Sequence, residues 1–186
     1  MKITNTLTLL RLVAAVILLI VFNIDSLTAK IVSLFLILFA QVSDFLDGYI
    51  ARKRNQITNF GKLFDPLADC VFFITLFLCF TIQGYMPAWM FIILLFRELM
   101  ITTFLRPYFS SQKIILSAKM SGKVKTAAQG IAANIIITLI IMSRITDILP
   151  QEVYRMISFW CMFIIIIFSL YSLIEYLREI KYNNVV

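Results

Sequence analysis

What most constrains this chain is a recurrence of apolar stretches, each near the length that a bilayer demands, set apart by short charged segments. A hydrocarbon core roughly 30 Å thick is crossed by about 20 helical residues. In lipid, a helix satisfies its own backbone groups, so stretches of this kind fold as spans. The pattern predicts six helices, at Leu7–Phe22, Ala29–Ala51, Lys62–Thr81, Ala88–Leu105, Val124–Ser143 and Val153–Leu177. Leu7–Phe22 resembles a signal peptide in its apolarity. With one lysine before it and no small-residue cleavage site ahead of Asn23–Ser26, it is read as a retained helix. The expected fold is an all-α integral membrane protein, six transmembrane helices in one domain over residues 1–186, with both termini on one side. At 61% hydrophobic residues the chain lies well above the roughly 45–50% of soluble proteins.

The charges give a direction to that bundle. Lys and Arg exceed Asp and Glu by 17 to 10, a net charge of +7. The cations crowd into the tails, Arg52–Lys62 and Arg106–Lys125, while the other side holds Lys30, Arg144 and Arg155. By the positive-inside rule the crowded side is cytoplasmic, in the cell membrane. Aromatic-interleaved basic patches are absent from the sequence, so no nucleic acid is expected, and anionic lipid and phosphate-bearing substrates suit the charge better. The chain has no histidine, which excludes His-based triads, ligands and proton shuttles. Cys70, Cys79 and Cys161 lie in apolar segments without zinc spacing and are read as packing residues.

Against this apolar background, residues 44–69 (DFLDGYIARKRNQITNFGKLFDPLAD) hold four aspartates, Asp44, Asp47, Asp65 and Asp69. The spacings, i,i+3 and then i,i+4, put each pair on one helix face. One pair closes the second expected helix and the other opens the third, so the two pairs can face each other near one membrane surface. Four carboxylates beside a bilayer need positive charge among them. A divalent cation held by hard oxygens answers that need, Mg²⁺ first and Mn²⁺ as an alternative. A non-catalytic membrane protein that binds divalent ions could collect the same acids. A transporter would set them nearer the midplane.

The stretch also resembles the signature of the CDP-alcohol phosphatidyltransferases, D-x2-D-G-x2-A-R-x8-G-x3-D-x3-D. Asp44, Asp47, Gly48, Ala51, Arg52, Gly61, Asp65 and Asp69 match it with every spacing kept. The resemblance implies a membrane enzyme that transfers a phosphatidyl group from CDP-diacylglycerol to an alcohol and releases CMP. It implies that Asp44, Asp47, Asp65 and Asp69 ligate the metal, and that Asp69 is also the base for the acceptor hydroxyl. Gly48, Ala51, Arg52, Gly61 and, within the intervening eight residues, Thr58 would bind the CDP-diacylglycerol. A second pattern, N-x-L-T-x-x-R, is similar to Asn5, Leu7, Thr8 and Arg11, and adds Asn5 and Thr8 to the nucleotide side. A homodimer is usual in such a family.

The acceptor is read from the basic connection. Arg106, Lys113, Lys119, Lys123 and Lys125 follow one another with no acid between them, which suits an anionic, phosphorylated alcohol. Residues 96–129 resemble the subgroup that uses glycerol 3-phosphate, making Arg97, Arg106, Lys119, Lys123 and Lys125 the expected acceptor-phosphate site. Cys70 stands where that subgroup often has lysine after its fourth aspartate. Inositol phosphate, serine or phosphatidylglycerol remain alternative acceptors. Headgroup-contacting lysines and an Arg97–Glu98 structural pair are the alternatives to an acceptor site.

Overall fold

A computed structural model gives the architecture. The structure describes residues 3–54, 59–105, 120–146 and 148–183, with side chains described outside 3–7, 45, 47–65, 120, 121, 123 and 179–183. Among the described residues there are six helices and no strand: α1 (Ile3–Phe22), α2 (Leu27–Arg54), α3 (Asn59–Ile82), α4 (Ala88–Leu99), α5 (Met120–Ile145) and α6 (Gln151–Asn183). A π-helical segment, Met100–Leu105, continues α4 without a break. Every expected helix is present, and several overrun their expected ends. Apolarity marks where lipid begins, whereas Lys, Arg and Asn are helix-compatible and let the turns run on past it. Pro66 lies well inside α3, where it cannot donate the usual backbone bond to the carbonyl of Lys62.

Among the described residues four stretches are long and apolar enough to cross a membrane: Leu27–Asp44, Ala88–Leu105, Val124–Ile145 and Gln151–Arg178. Within the same described residues Thr8–Phe22 and Pro66–Ile82 are shorter apolar stretches of α1 and α3. The chain is a multi-pass membrane protein.

The helices pack as a closed ring: α1 on α2, α2 on α5, α5 on α6, α6 on α4, α4 on α3 and α3 on α1. One end of this ring is filled. Leu18 and Phe22 of α1, Ile37 of α2, Leu76, Phe77 and Phe80 of α3, Met90 of α4, Ile136 and Ile140 of α5, and Met162 of α6 form one buried apolar cluster. Phe22 meets Phe80 edge-on, with centroids 5.7 Å apart.

The turns at the filled end are well made. Ser26 Oγ accepts the N–H of Ala29 at 3.1 Å and caps α2. Lys30 donates to the Phe22 carbonyl and lies over the Phe22 ring. After α3, Tyr85 N–H reaches the Phe80 carbonyl and Gly84 N–H that of Thr81, a Schellman ending. That ending requires the left-handed φ of +75° that Gly84 adopts. Arg144 at the end of α5 donates to Asp25 at 2.5 Å, and its guanidinium holds the exposed Asp25 carboxyl below the usual range.

Candidate active site

The other end of the ring is hollow. A cavity of about 750 Å³ opens there, lined by residues of all six helices. Chain direction explains why its polar groups meet. Asp44 lies late in α2 and Asp69 early in α3, Arg97 and Glu98 end α4, Lys125 opens α5 and Tyr176 is late in α6, and all of them line the cavity.

One wall is acidic, with a cation set into it. Arg11, on α1, is 1% exposed. Its Nη1 donates to Oδ1 of Asp69 at 2.5 Å and lies 3.6 Å from Oδ1 of Asp44. The same guanidinium nitrogen therefore gathers a carboxylate from α2 and one from α3. One member of each expected acid pair is thus brought to the other, with Arg11 as the group that joins them.

The facing wall is a buried ion network. Glu98 accepts from Arg97 Nη1 at 3.2 Å, from Gln129 Nε2 at 3.3 Å and from the Lys125 ammonium. Arg97 reaches across to α6, donating from Nη2 to Ser172 Oγ at 3.0 Å and from Nε to the Ser169 carbonyl at 3.4 Å. All four charged or amide side chains are under a tenth exposed. Two cations and one carboxylate leave this wall one positive charge in excess.

The expected site residues are placed unevenly. Asp44, Asp69, Arg97 and Lys125 line the cavity together. Thr8 is buried one turn before Arg11. Asn5, Asp47, Gly48, Ala51, Arg52, Gly61, Asp65 and Lys123 lie on α1, α2, α3 and α5, but nothing is described of their side chains. Thr58, Arg106 and Lys119 lie outside the described residues. Three cavity residues had only partial signals in the sequence. Arg11 ends the N-x-L-T-x-x-R pattern yet was not singled out for the site. Gln129 follows Lys125 at i,i+4 on one face of α5. Gln41 precedes Asp44 by three residues on α2, inside what reads as a plain apolar run.

The acid wall suits a divalent cation. Among the described residues no group of three or more acids, cysteines or histidines forms a ready metal site. Asp44 and Asp69 nonetheless supply hard oxygen donors that converge with only Arg11 between them, which leaves net negative charge.

Comparison with known proteins bears on this geometry. The family model for CDP-alcohol phosphatidyltransferase matches residues 1–174. A Treponema pallidum protein named CDP-diacylglycerol–glycerol-3-phosphate 3-phosphatidyltransferase is 40% identical over 53% of the chain and 45% of its own length. A Mycoplasma genitalium protein of the same name is 33% identical over 76% of the chain and 61% of its own length. The chain thus spans about half the length of these relatives. It covers 91% of a Rickettsia felis protein of that name, at 30% identity over 90% of the chain. Matched along nearly its whole length, the chain belongs to the CDP-alcohol phosphatidyltransferase family.

Proposed function

We propose that this protein transfers the phosphatidyl group of CDP-diacylglycerol to sn-glycerol 3-phosphate, giving phosphatidylglycerophosphate and CMP. The observation that carries this reading is the pairing of opposite walls in one cavity, with carboxylates Asp44 and Asp69 on one side and buried cations Arg97 and Lys125 on the other. The first wall suits a metal-bound diphosphate and the second a phosphorylated alcohol. The shared name of the matched relatives supports the same acceptor.

In this reaction an oxygen of the acceptor attacks the phosphorus that bears the diacylglycerol. The bond to the CMP oxygen breaks, and the acceptor hydroxyl loses its proton. Asp44 and Asp69, with Asp47 and Asp65 from the same helix ends, would hold Mg²⁺ or Mn²⁺, which when bound supplies charge neutralisation for the diphosphate. Asp69 takes the hydroxyl proton in this reading. Arg11 fixes the orientation of that carboxylate through its bond to Oδ1. Gly48, Ala51, Arg52, Gly61, Thr58, Asn5 and Thr8 are the proposed nucleotide-side residues. Arg97, Arg106, Lys119, Lys123 and Lys125 are the proposed acceptor-phosphate residues. Because Glu98 already engages Arg97 and Lys125, the incoming phosphate shares those two cations and does not find them free.

Six spans, with the hollow end at the cytoplasmic face of the cell membrane, complete the proposal, and the homodimer rests on the family resemblance alone. The test is CMP release by the purified protein from CDP-diacylglycerol with Mg²⁺, offering glycerol 3-phosphate, inositol phosphate, serine and phosphatidylglycerol separately. Turnover with glycerol 3-phosphate alone is expected. Turnover with another alcohol would keep the acid wall and reassign the basic one, and no CMP from any acceptor would overturn the enzyme reading.

A further inference from the structure

Below the acid wall the cavity changes character, and two amides sit at the change. Gln41 is one turn before Asp44 on α2, about 4.5 Å further from the hollow end, and Asn134 faces it from α5. Asn134 Nδ2 donates to the Gly130 carbonyl and to Gln41 Oε1, both at 2.8 Å. Gly130 offers a backbone acceptor, so the end of Asn134 facing it must be the NH₂, and the end of Gln41 facing that NH₂ must be oxygen. This fixes Gln41 with its oxygen toward Asn134 and its own NH₂ toward α5. That group makes one long bond, 3.4 Å, to the Gly130 carbonyl already used by Asn134. Asn134 Oδ1 is buried with no hydrogen-bond partner among the described residues.

A pair serving only to tie α2 to α5 would close on itself. This one leaves Asn134 Oδ1 buried and unmet and Gln41 with an N–H that is only weakly engaged, inside apolar spans where an unmet polar group is costly. Both residues line the same cavity as Asp44 and Asp69, and so do Ala40, beside Gln41, and Phe72 and Phe73, one turn below Asp69 and so at about the depth of Gln41. Carboxylates, then an amide set among aromatic and aliphatic side chains, is the order of phosphate and then ester at the head of the acyl chains along a diacyl lipid. We propose that Gln41, held in orientation by Asn134, donates a hydrogen bond to an ester carbonyl of the lipid substrate and so selects ester-linked over ether-linked chains. The inference rests on the proposed use of a CDP-linked lipid and extends it to the lipid's glycerol region.

The experiment compares CDP-diacylglycerol with its dialkyl ether analogue in the same detergent, with Mg²⁺ and glycerol 3-phosphate. Wild type is expected to favour the diester by roughly fivefold in kcat/KM, the size of one net hydrogen bond. Gln41→Met, of similar shape, is expected to bring the two lipids to parity through KM for the lipid, with KM for glycerol 3-phosphate unmoved. Equal use of the two lipids by wild type would overturn the inference without need of any variant. An equal loss on both lipids in Gln41→Met would assign the amide to helix packing and overturn it as well. Wild type inert on both lipids would instead overturn the activity on which the inference rests.

Discussion

A guanidinium buried to 1% exposure between carboxylates on two other helices has few substitutes. Arg11→Met keeps much of the side chain's length and removes the charge that Asp44 and Asp69 share. Leaving part-exposed carboxylates uncompensated costs about 1 kcal/mol after solvent screening, so thermal unfolding in detergent is expected to fall by a few degrees and CMP release to be lost. A variant as stable as wild type would show that Arg11 does not hold the acid wall together. Asp69→Asn is the complementary change. It keeps a polar group against Arg11, so the protein is expected to stay folded while turnover drops at least about 100-fold, as for a lost general base. Activity near wild type would remove Asp69 from the chemistry. The acids themselves were legible from spacing, since four carboxylates in apolar sequence need a common explanation. That Arg11 would bond to Asp69 was not, because their contact joins residues 58 apart and depends on how α1 leans on α3.

Helices were legible where lipid dictates them and less so elsewhere. Every apolar run became a helix, but the π-helical Met100–Leu105 carries no mark in its residues, MITTFL. It follows directly on Arg97 and Glu98, whose partners come from α5 and α6. The bond between Lys125 and Glu98 joins residues 27 apart across two elements, which no helical periodicity can announce. Its energetics can be tested between elements. Glu98→Gln leaves Arg97 and Lys125 facing each other without their shared counter-ion, at a cost of about 3 kcal/mol. Glu98→Gln combined with Lys125→Met removes one of the two stranded cations, leaving Arg97, and is expected to recover part of that loss. Additive destabilisation in the double variant, read by thermal unfolding, would mean that the two side chains do not act as a unit.

For the whole molecule, chain direction puts Asp44, Asp69, Arg97 and Lys125 at one end of the ring and Ser26, Lys30, Gly84 and Arg144 at the other. If the hollow end is cytoplasmic, Ile148, 73% exposed in the connection between α5 and α6, lies outside. With the three native cysteines replaced, Ile148→Cys is expected to react with a membrane-impermeant maleimide on intact cells. Labelling confined to inverted vesicles would reverse the orientation. The packed half of the ring has a consequence of its own. Substrates bearing several charges require water inside the membrane, and a hydrated passage running from side to side would short-circuit any ion gradient held across it. Phe22, Leu76, Phe77, Phe80 and Met90 close the bundle beneath the cavity, so the chamber is a blind well. On the proposed activity, charged substrates reach a lipid's phosphate partway into the bilayer and the membrane stays electrically tight.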